Sequence, residues 1–273
     1  MSERVTLALR SPVEQSIDGD CIAADRFLGL SEREIASLPI WSGRRNMPLG
    51  DAFDVDGGHS SQVRVVGDVR HVNGIGTAMA DGELIIDGDA GAHIAAGMTG
   101  GQVEILGSVG DDAGVGMSGG SLHIRGNAGD RVGGPMPGAS RGMTGGEIVV
   151  EDSIGADAGA RMRRGLLFAG GDAGDRAARA MIAGTVIVIG RVGVEPAAGS
   201  KRGTLVVGGG VDVPATYRYA CDYEPPHVRL ALTYVARRYG LSIYGHLISG
   251  RYRRFVGDAG TVAKGEILEW LPE

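Results

Sequence analysis

An all-β solenoid is the fold class this sequence predicts: a right-handed parallel β-helix of about eight coils with a ~19-residue period, flanked by mixed N- and C-terminal segments. Three observations carry the prediction. Glycine supplies 49 of 273 residues, beside only four Phe and two Trp and without a Gly-X-Y triplet period, which points to ordered turns rather than collagen or disorder. One glycine recurs as Gly82, Gly101, Gly120, Gly146, Gly165, Gly184 and Gly203, at spacings of 19, 19, 26, 19, 19 and 19. After each of these the chain alternates apolar and polar residues, as in GELIIDG, GQVEILG, GSLHIRG and GTVIVIG. Such alternation marks a half-buried strand, and a unit this short buries its apolar face only by stacking on neighbours.

Before the repeat, residues 6–9 read as a strand, and Ser31-Glu-Arg-Glu34 ahead of IASL reads as a capping-box helix start. The array opens with SQVRVVG ending at Gly67; GEIVVED and GLLFAGG are imperfect copies, and the one long step carries seven extra residues, 135–141. A second small or apolar position follows each strand, at Val69, Ala90, Val109, Ala128, Ile154, Ala173 and Val192, so that each unit holds two or three short strands joined by glycine turns. Past Val213 the repeat stops and all seven tyrosines follow. There HVRLALTYVARRYG predicts a helix after the Pro225-Pro226 break, and the tyrosines read as interface anchors. The chain divides accordingly into a capping segment 1–60, a repeat segment 61–210 and a Tyr-rich cap or partner-contact segment 211–273.

Two columns share the repeat register. Met79, Met98, Met117, Met143, Met162 and Met181 stand three residues before the marker glycines. A soft metal needs sulfurs that converge on one point, whereas these spread along an axis, so they read as core filler. Eleven residues after the glycines stand His93, Asp112, Arg131, Asp157, Arg176 and Glu195, largely alternating in sign. They predict an external ion-pair ladder worth roughly 0.2–1 kcal/mol per pair.

Several function classes find no support. The net charge of −6, with 25 Arg and two Lys, gives no basic excess for nucleic acid. No apolar run reaches the length of a membrane span, and the start MSERVTLALRSPVEQ lacks a signal-peptide core, which predicts a cytoplasmic protein. Cys21 and Cys221, far apart and outside any C-x-x-C, read as buried free thiols. Residues 114–119 match G-x-G-x-x-G literally but lack a βαβ unit, and GGDAGD at 170–175 lacks the nine-residue period of a calcium roll, leaving turn-stabilising aspartates. The six histidines show no ligand spacing and no nucleophile setting is recognisable, so neither a metal site nor a catalytic residue is expected. Arg161, Arg163, Arg164, Arg176, Arg179, Lys201 and Arg202 form a basic cluster that reads as a solvated face or a partner surface ahead of a track for a polyanion.

The serial G-x-φ-x-φ-x-G units, with G-M-T-G-G and G-M-S-G-G between them, resemble the glycine-repeat domain shared by glutamate synthase large subunits and the C subunit of formylmethanofuran dehydrogenase. The flanks PLGDAFDVDG, at 48–57, and RFVGDAGTVAKGEILEW resemble the ends of that C subunit, and a chain starting at Met1-Ser2 shows no glutaminase start or cofactor domain. The Arg-rich, Lys-poor composition suits a methylotrophic bacterium, and with it the C subunit of the formyltransferase/hydrolase complex. That resemblance implies a scaffold without catalytic residues, in a complex that passes a formyl group from formyl-tetrahydromethanopterin to a methanofuran-type carrier and releases formate. It implies partners: a zinc amidohydrolase-like subunit, a subunit like the B subunit of the dehydrogenase, and a formyltransferase subunit. The carrier and the zinc would sit in those partners, and an oligoglutamate carrier tail would give Arg161, Arg163, Arg164, Arg176 and Arg179 an anionic ligand. The C subunit of a tungsten or molybdenum formylmethanofuran dehydrogenase and a free-standing glutamate-synthase-like module are the alternatives.

Overall fold

In a computed structural model, which describes residues 4–11 and 15–272, the repeats stack strand on strand. Met1, Ser2 and the last residue of the 211–273 segment lie outside the described residues. The chain begins with β1 (Val5–Leu9), β2 (Ile17–Asp18), the short helices α1 (Ala24–Phe27) and α2 (Glu32–Ala36), the hairpin β3 (Pro39–Ser42) and β4 (Arg45–Pro48), α3 (Leu49–Ala52) and β5 (Phe53–Asp56). The repeats supply β6 (Gln62–Val66), β7 (Val72–Asn73), β8 (Glu83–Asp87), β9 (Gln102–Ile105), β10 (Ser121–Ile124), β11 (Glu147–Val150), β12 (Leu166–Ala169), β13 (Thr185–Val188) and β14 (Arg202–Val207). The C-terminal part holds β15 (Arg218–Tyr223), α4 (Pro226–Tyr239), α5 (Gly245–Ser249), β16 (Tyr252–Gly257) and β17 (Lys264–Trp270).

The expected parallel β-helix is corrected by the strand pairing. The architecture is a mixed sheet of thirteen strands in the order β15-β16-β17-β14-β13-β12-β11-β10-β9-β8-β6-β1-β5, beside a four-stranded sheet β4-β3-β2-β7. Pairing is parallel from β1 to β17, but β5 joins β1 antiparallel and β17, β16 and β15 close the other end antiparallel. The physical reason is the edge: the outermost parallel strand would expose its N–H and C=O groups, and a returning strand satisfies them.

Within the parallel part, register follows the repeat. Leu84, Val103 and Leu122 are aligned, and β10 pairs β11 in the same frame although residues 135–141 intervene, so the extra residues leave the ladder undisturbed. Val69, Ala90, Val109, Ala128, Ile154, Ala173 and Val192 form a second run of parallel bridges.

One core runs through the repeats. The inward pairs, such as Leu84 with Ile86 and Val186 with Val188, are buried, as are the six column methionines. From Gly101 to Gly203 each marker glycine packs on a methionine of the preceding repeat, whereas Gly82, at the start of the series, packs on Ser61 and Ala24. Gly101 has φ 75°, and a Cβ there would come within 2.8 Å of both Met79 Cε and the Gly82 carbonyl oxygen. Phe27, Ile35, Leu49 and Phe53 continue this core at the N-terminal end. The Ser31 capping box is present: Ser31 Oγ accepts from the Glu34 amide, and Glu34 accepts from the Ser31 amide at 2.8 Å. At the other end buried Tyr217 donates its hydroxyl to the Ala197 carbonyl at 3.0 Å.

Polar side chains also link consecutive repeats. Asp89, Ser108, Asn127, Ser153 and Asp172 form one file in which each side-chain oxygen accepts from the backbone amide of the equivalent residue one repeat on, ending at Arg191. Asp111, Asp130 and Asp175 serve Asp130, Ala156 and Val194 in the same way. Asp172 and Asp175 of GGDAGD thus accept across repeats, from the Arg191 and Val194 amides, rather than within their own turn.

Both cysteines are free, but the expectation that they are buried fails: Cys21 is partly covered and Cys221 is exposed, because β15 is the outermost strand of its sheet.

Candidate functional site

The central outward position of each repeat strand decides what covers the sheet. Ile85, Glu104 and His123 occupy it in β8, β9 and β10, in line with Val149, Phe168, Ile187 and Val206 in β11 to β14. The apolar half is buried beneath Val228, Leu232 and Val235 of α4. That helix opens with Pro226 in its first turn and ends at Gly240 with φ 69°, the residue types that start and stop a helix. The polar half stays open as a groove of about 330 Å³ beside the end of α4, lined by Glu83, Glu104, His123, Arg125, Arg238 and Tyr239.

His123 is the centre of this groove. One ring nitrogen, Nε2, lies 2.9 Å from Glu151 and the other, Nδ1, 3.8 Å from Glu104. Its ring meets Tyr239 edge-on at 4.8 Å. Arg125 gives two N–H groups to Glu104, at 2.7 and 3.0 Å. The Tyr239 hydroxyl donates to Glu147 at 2.7 Å, and burial, reinforced by that carboxylate, pushes its pKa up. Each polar group here is held by another, so the arrangement fixes the end of α4 on the sheet and offers no paired nucleophile and base.

The charged column forms two runs. Asp112 lies 3.8 Å from His93 and 2.6 Å from Arg131; Asp157 pairs with Arg176 at 2.8 Å and Arg179 at 2.9 Å. Glu195 completes the column with no ion pair among the described residues. All six members have φ between 56° and 64°, the left-handed region, which the charge pattern did not reveal.

The basic cluster separates into two kinds of arginine. Arg176 and Arg179 are committed to Asp157. Arg161, Arg163 and Arg164 are exposed, and their side chains make no ion pair among the described residues. Exposed Lys201 and Arg202 stand two repeats on from Arg163 and Arg164, about 10 Å along the stack. Of the tyrosines, Tyr217 and Tyr252 are buried, Tyr223 and Tyr239 partly so, and Tyr219, Tyr234 and Tyr244 are exposed.

Among the described residues no group of three or more His, Cys, Asp or Glu is placed to hold a metal ion. No helix there is long and apolar enough to cross a membrane.

Fold and site together define a glycine-repeat protein of nineteen-residue units in which Glu104 of the groove is held by Arg125, and Asp112 and Asp157 of the charged column by Arg131 and Arg176. No family model matches the chain. It is similar to the C subunit of the molybdenum-containing formylmethanofuran dehydrogenase 1 of Methanosarcina barkeri, with 33% identity over 95 residues, 33% of this chain and 32% of that protein. It is also similar to the C subunit of the formyltransferase/hydrolase complex Fhc of Methylorubrum extorquens, with 36% identity over 89 residues, 33% of this chain and 34% of that protein. In these matches the chain spans about a third of the length of the curated relatives. A chain in the crystal structure of the Methylorubrum extorquens formyltransferase/hydrolase complex FhcABCD with methylofuran superposes over much more, with TM-score 0.89 and 34% identity, covering 98% of this chain and 100% of that one. The chain belongs to the C-subunit family of formylmethanofuran dehydrogenases and formyltransferase/hydrolase complexes.

Proposed function

We propose that this chain is the scaffold subunit of a formyltransferase/hydrolase complex in one-carbon metabolism, with no catalytic residue of its own. The complex moves a formyl group from formyl-tetrahydromethanopterin to a methanofuran-type carrier and releases formate. The end-to-end superposition on a chain of FhcABCD, at TM-score 0.89, supports this reading most directly. The partners are an amidohydrolase-like subunit, which holds the zinc, a subunit resembling the B subunit of the dehydrogenase, and a formyltransferase subunit, in the cytoplasm. The unpaired guanidinium groups of Arg161, Arg163 and Arg164 support contact with an oligoglutamate carrier tail, whereas Arg176 and Arg179 are already engaged by Asp157.

Native purification of the tagged chain, with mass spectrometry of what accompanies it and an assay for formate release, tests the proposal. Amidohydrolase-like and formyltransferase partners with formate release are expected. A second reading, the C subunit of a formylmethanofuran dehydrogenase, is favoured by the similarity to the Methanosarcina barkeri protein, and predicts a molybdenum or tungsten partner instead. A stable lone monomer would refute both.

A further inference from the structure

Helix α4 carries two apolar stripes, and the fold uses only one. Val228, Leu232 and Val235 turn onto Val149, Phe168, Ile187 and Val206. On the opposite side Leu230, Thr233, Tyr234 and Arg237 stand at i, i+3, i+4 and i+7, so they share one face. With Arg238 they line a shallow apolar cleft of about 420 Å³. Leu230 is 73% exposed and Tyr234 44%. Tyr234 and Arg238 stand together in the cleft wall.

Charge narrows what can cover this face. The helix contains Arg229, Arg237 and Arg238 and no acidic residue, in a chain whose net charge is −6. Arg229 and Arg237 make no ion pair among the described residues, and Arg238 comes only within 4.0 Å of Glu147. One exposed leucine is ordinary on a protein surface, but a Leu-Tyr stripe framed by free guanidinium groups has the composition of an interface anchor.

We propose that the outer face of α4 docks an acidic amphipathic helix of a partner subunit. Its apolar side chains enter the cleft between Leu230 and Tyr234, and its carboxylates meet Arg229 and Arg237. A helix is the occupant because its own i, i+4 ridge fits a groove of the same spacing, and the complementary charge sets its register. The inference rests on the scaffold reading and adds which surface of this chain makes the contact.

The test coexpresses the full chain with its organism's homologues of the other three FhcABCD subunits, as wild type, Leu230→Asp and Arg237→Glu. Composition is read by size-exclusion chromatography with mass spectrometry, and hydrogen exchange of α4 is compared free and assembled. The wild type is expected to assemble with slowed exchange in α4, and each substitution to lower recovery of one particular subunit at least about tenfold while circular dichroism is unchanged. Should Leu230→Asp unfold, Arg237→Glu decides alone. Wild-type recovery of every subunit with both variants and unaltered exchange in α4 overturns the docking inference and leaves the scaffold reading standing. Failure of the wild-type chain to assemble overturns both.

Discussion

The Met79 methyl group occupies the space a side chain on Gly101 would need: a Cβ on Gly101 would come within 2.8 Å of Met79 Cε. The same relationship joins Met98 to Gly120 and Met181 to Gly203, at 2.7 and 2.9 Å. Methionine in one repeat and glycine in the next are therefore two halves of one packing unit, which is why both recur in step.

Gly101→Ala is expected to destabilise the fold by about 1–3 kcal/mol, through the left-handed backbone and the lost space. Met79→Ala removes the methyl group but opens a cavity, costing about 2–5 kcal/mol. The Gly82 carbonyl oxygen still blocks a Cβ on Gly101, so the double variant is expected to be less stable than either single one in urea denaturation. Rescue by the second substitution would contradict the interlock.

The arginines are expected to divide by their partners. Arg163→Glu with Arg164→Glu should raise the apparent KM of the assembled complex for its carrier several-fold and leave the melting temperature of the chain unchanged. Arg176→Glu should lower the melting temperature instead, because it places a carboxylate against Asp157. An unchanged KM at intact assembly would remove Arg163 and Arg164 from the carrier path.

Acid should weaken the fold partly through Asp157. Hydrogen bonding from Arg176 comes first among the causes that hold its carboxyl below the ordinary value of 3.8. With the folded pKa depressed, the unfolded chain takes up the proton first, so the contribution is complete above about pH 4 and is lost as pH falls through the lower folded value. Asp157→Asn is expected to flatten the acid limb of stability against pH, followed by thermal melts from pH 6 down to pH 2.

Thiol reagents should distinguish the cysteines. Burial pushes the Cys21 thiol up to about 11, whereas Cys221 is exposed on an edge strand. At pH 8 one equivalent is expected to react with Ellman's reagent quickly, and Cys221→Ser should abolish that phase.

Tyr239→Phe removes the donor to Glu147 and is expected to cost about 1–2 kcal/mol, with faster hydrogen exchange at the end of α4. An unaltered exchange profile would show that Glu147 does not hold the helix.

The repeat was legible because each unit meets the same constraints: the glycines, the methionines and the inward apolar pairs all follow one register. The chain ends were not, because β1 with β5 and β15 with β16 and β17 pair without any repeat, and those antiparallel closures make the sheet mixed. The groove was missed although a signal existed. Alternation gives way to unbroken apolar runs from Ile148 onward, IVV, LLFA and VIV, and a strand apolar on both faces requires a cover. That change of pattern marks where α4 begins to lie on the sheet and leaves His123 at the border. The charged column was read for sign and not for its left-handed backbone, because Asp, His, Arg and Glu do not announce that conformation as glycine does.

The file from Asp89 to Arg191 has a direction: every acceptor lies in the earlier repeat and every donor in the later one. A folded unit therefore offers side-chain oxygen atoms to the amides of the unit that follows it in the chain. A fragment cut from the C-terminal side keeps its acceptors and loses only their guests, whereas one cut from the N-terminal side starts with amides that lack a host.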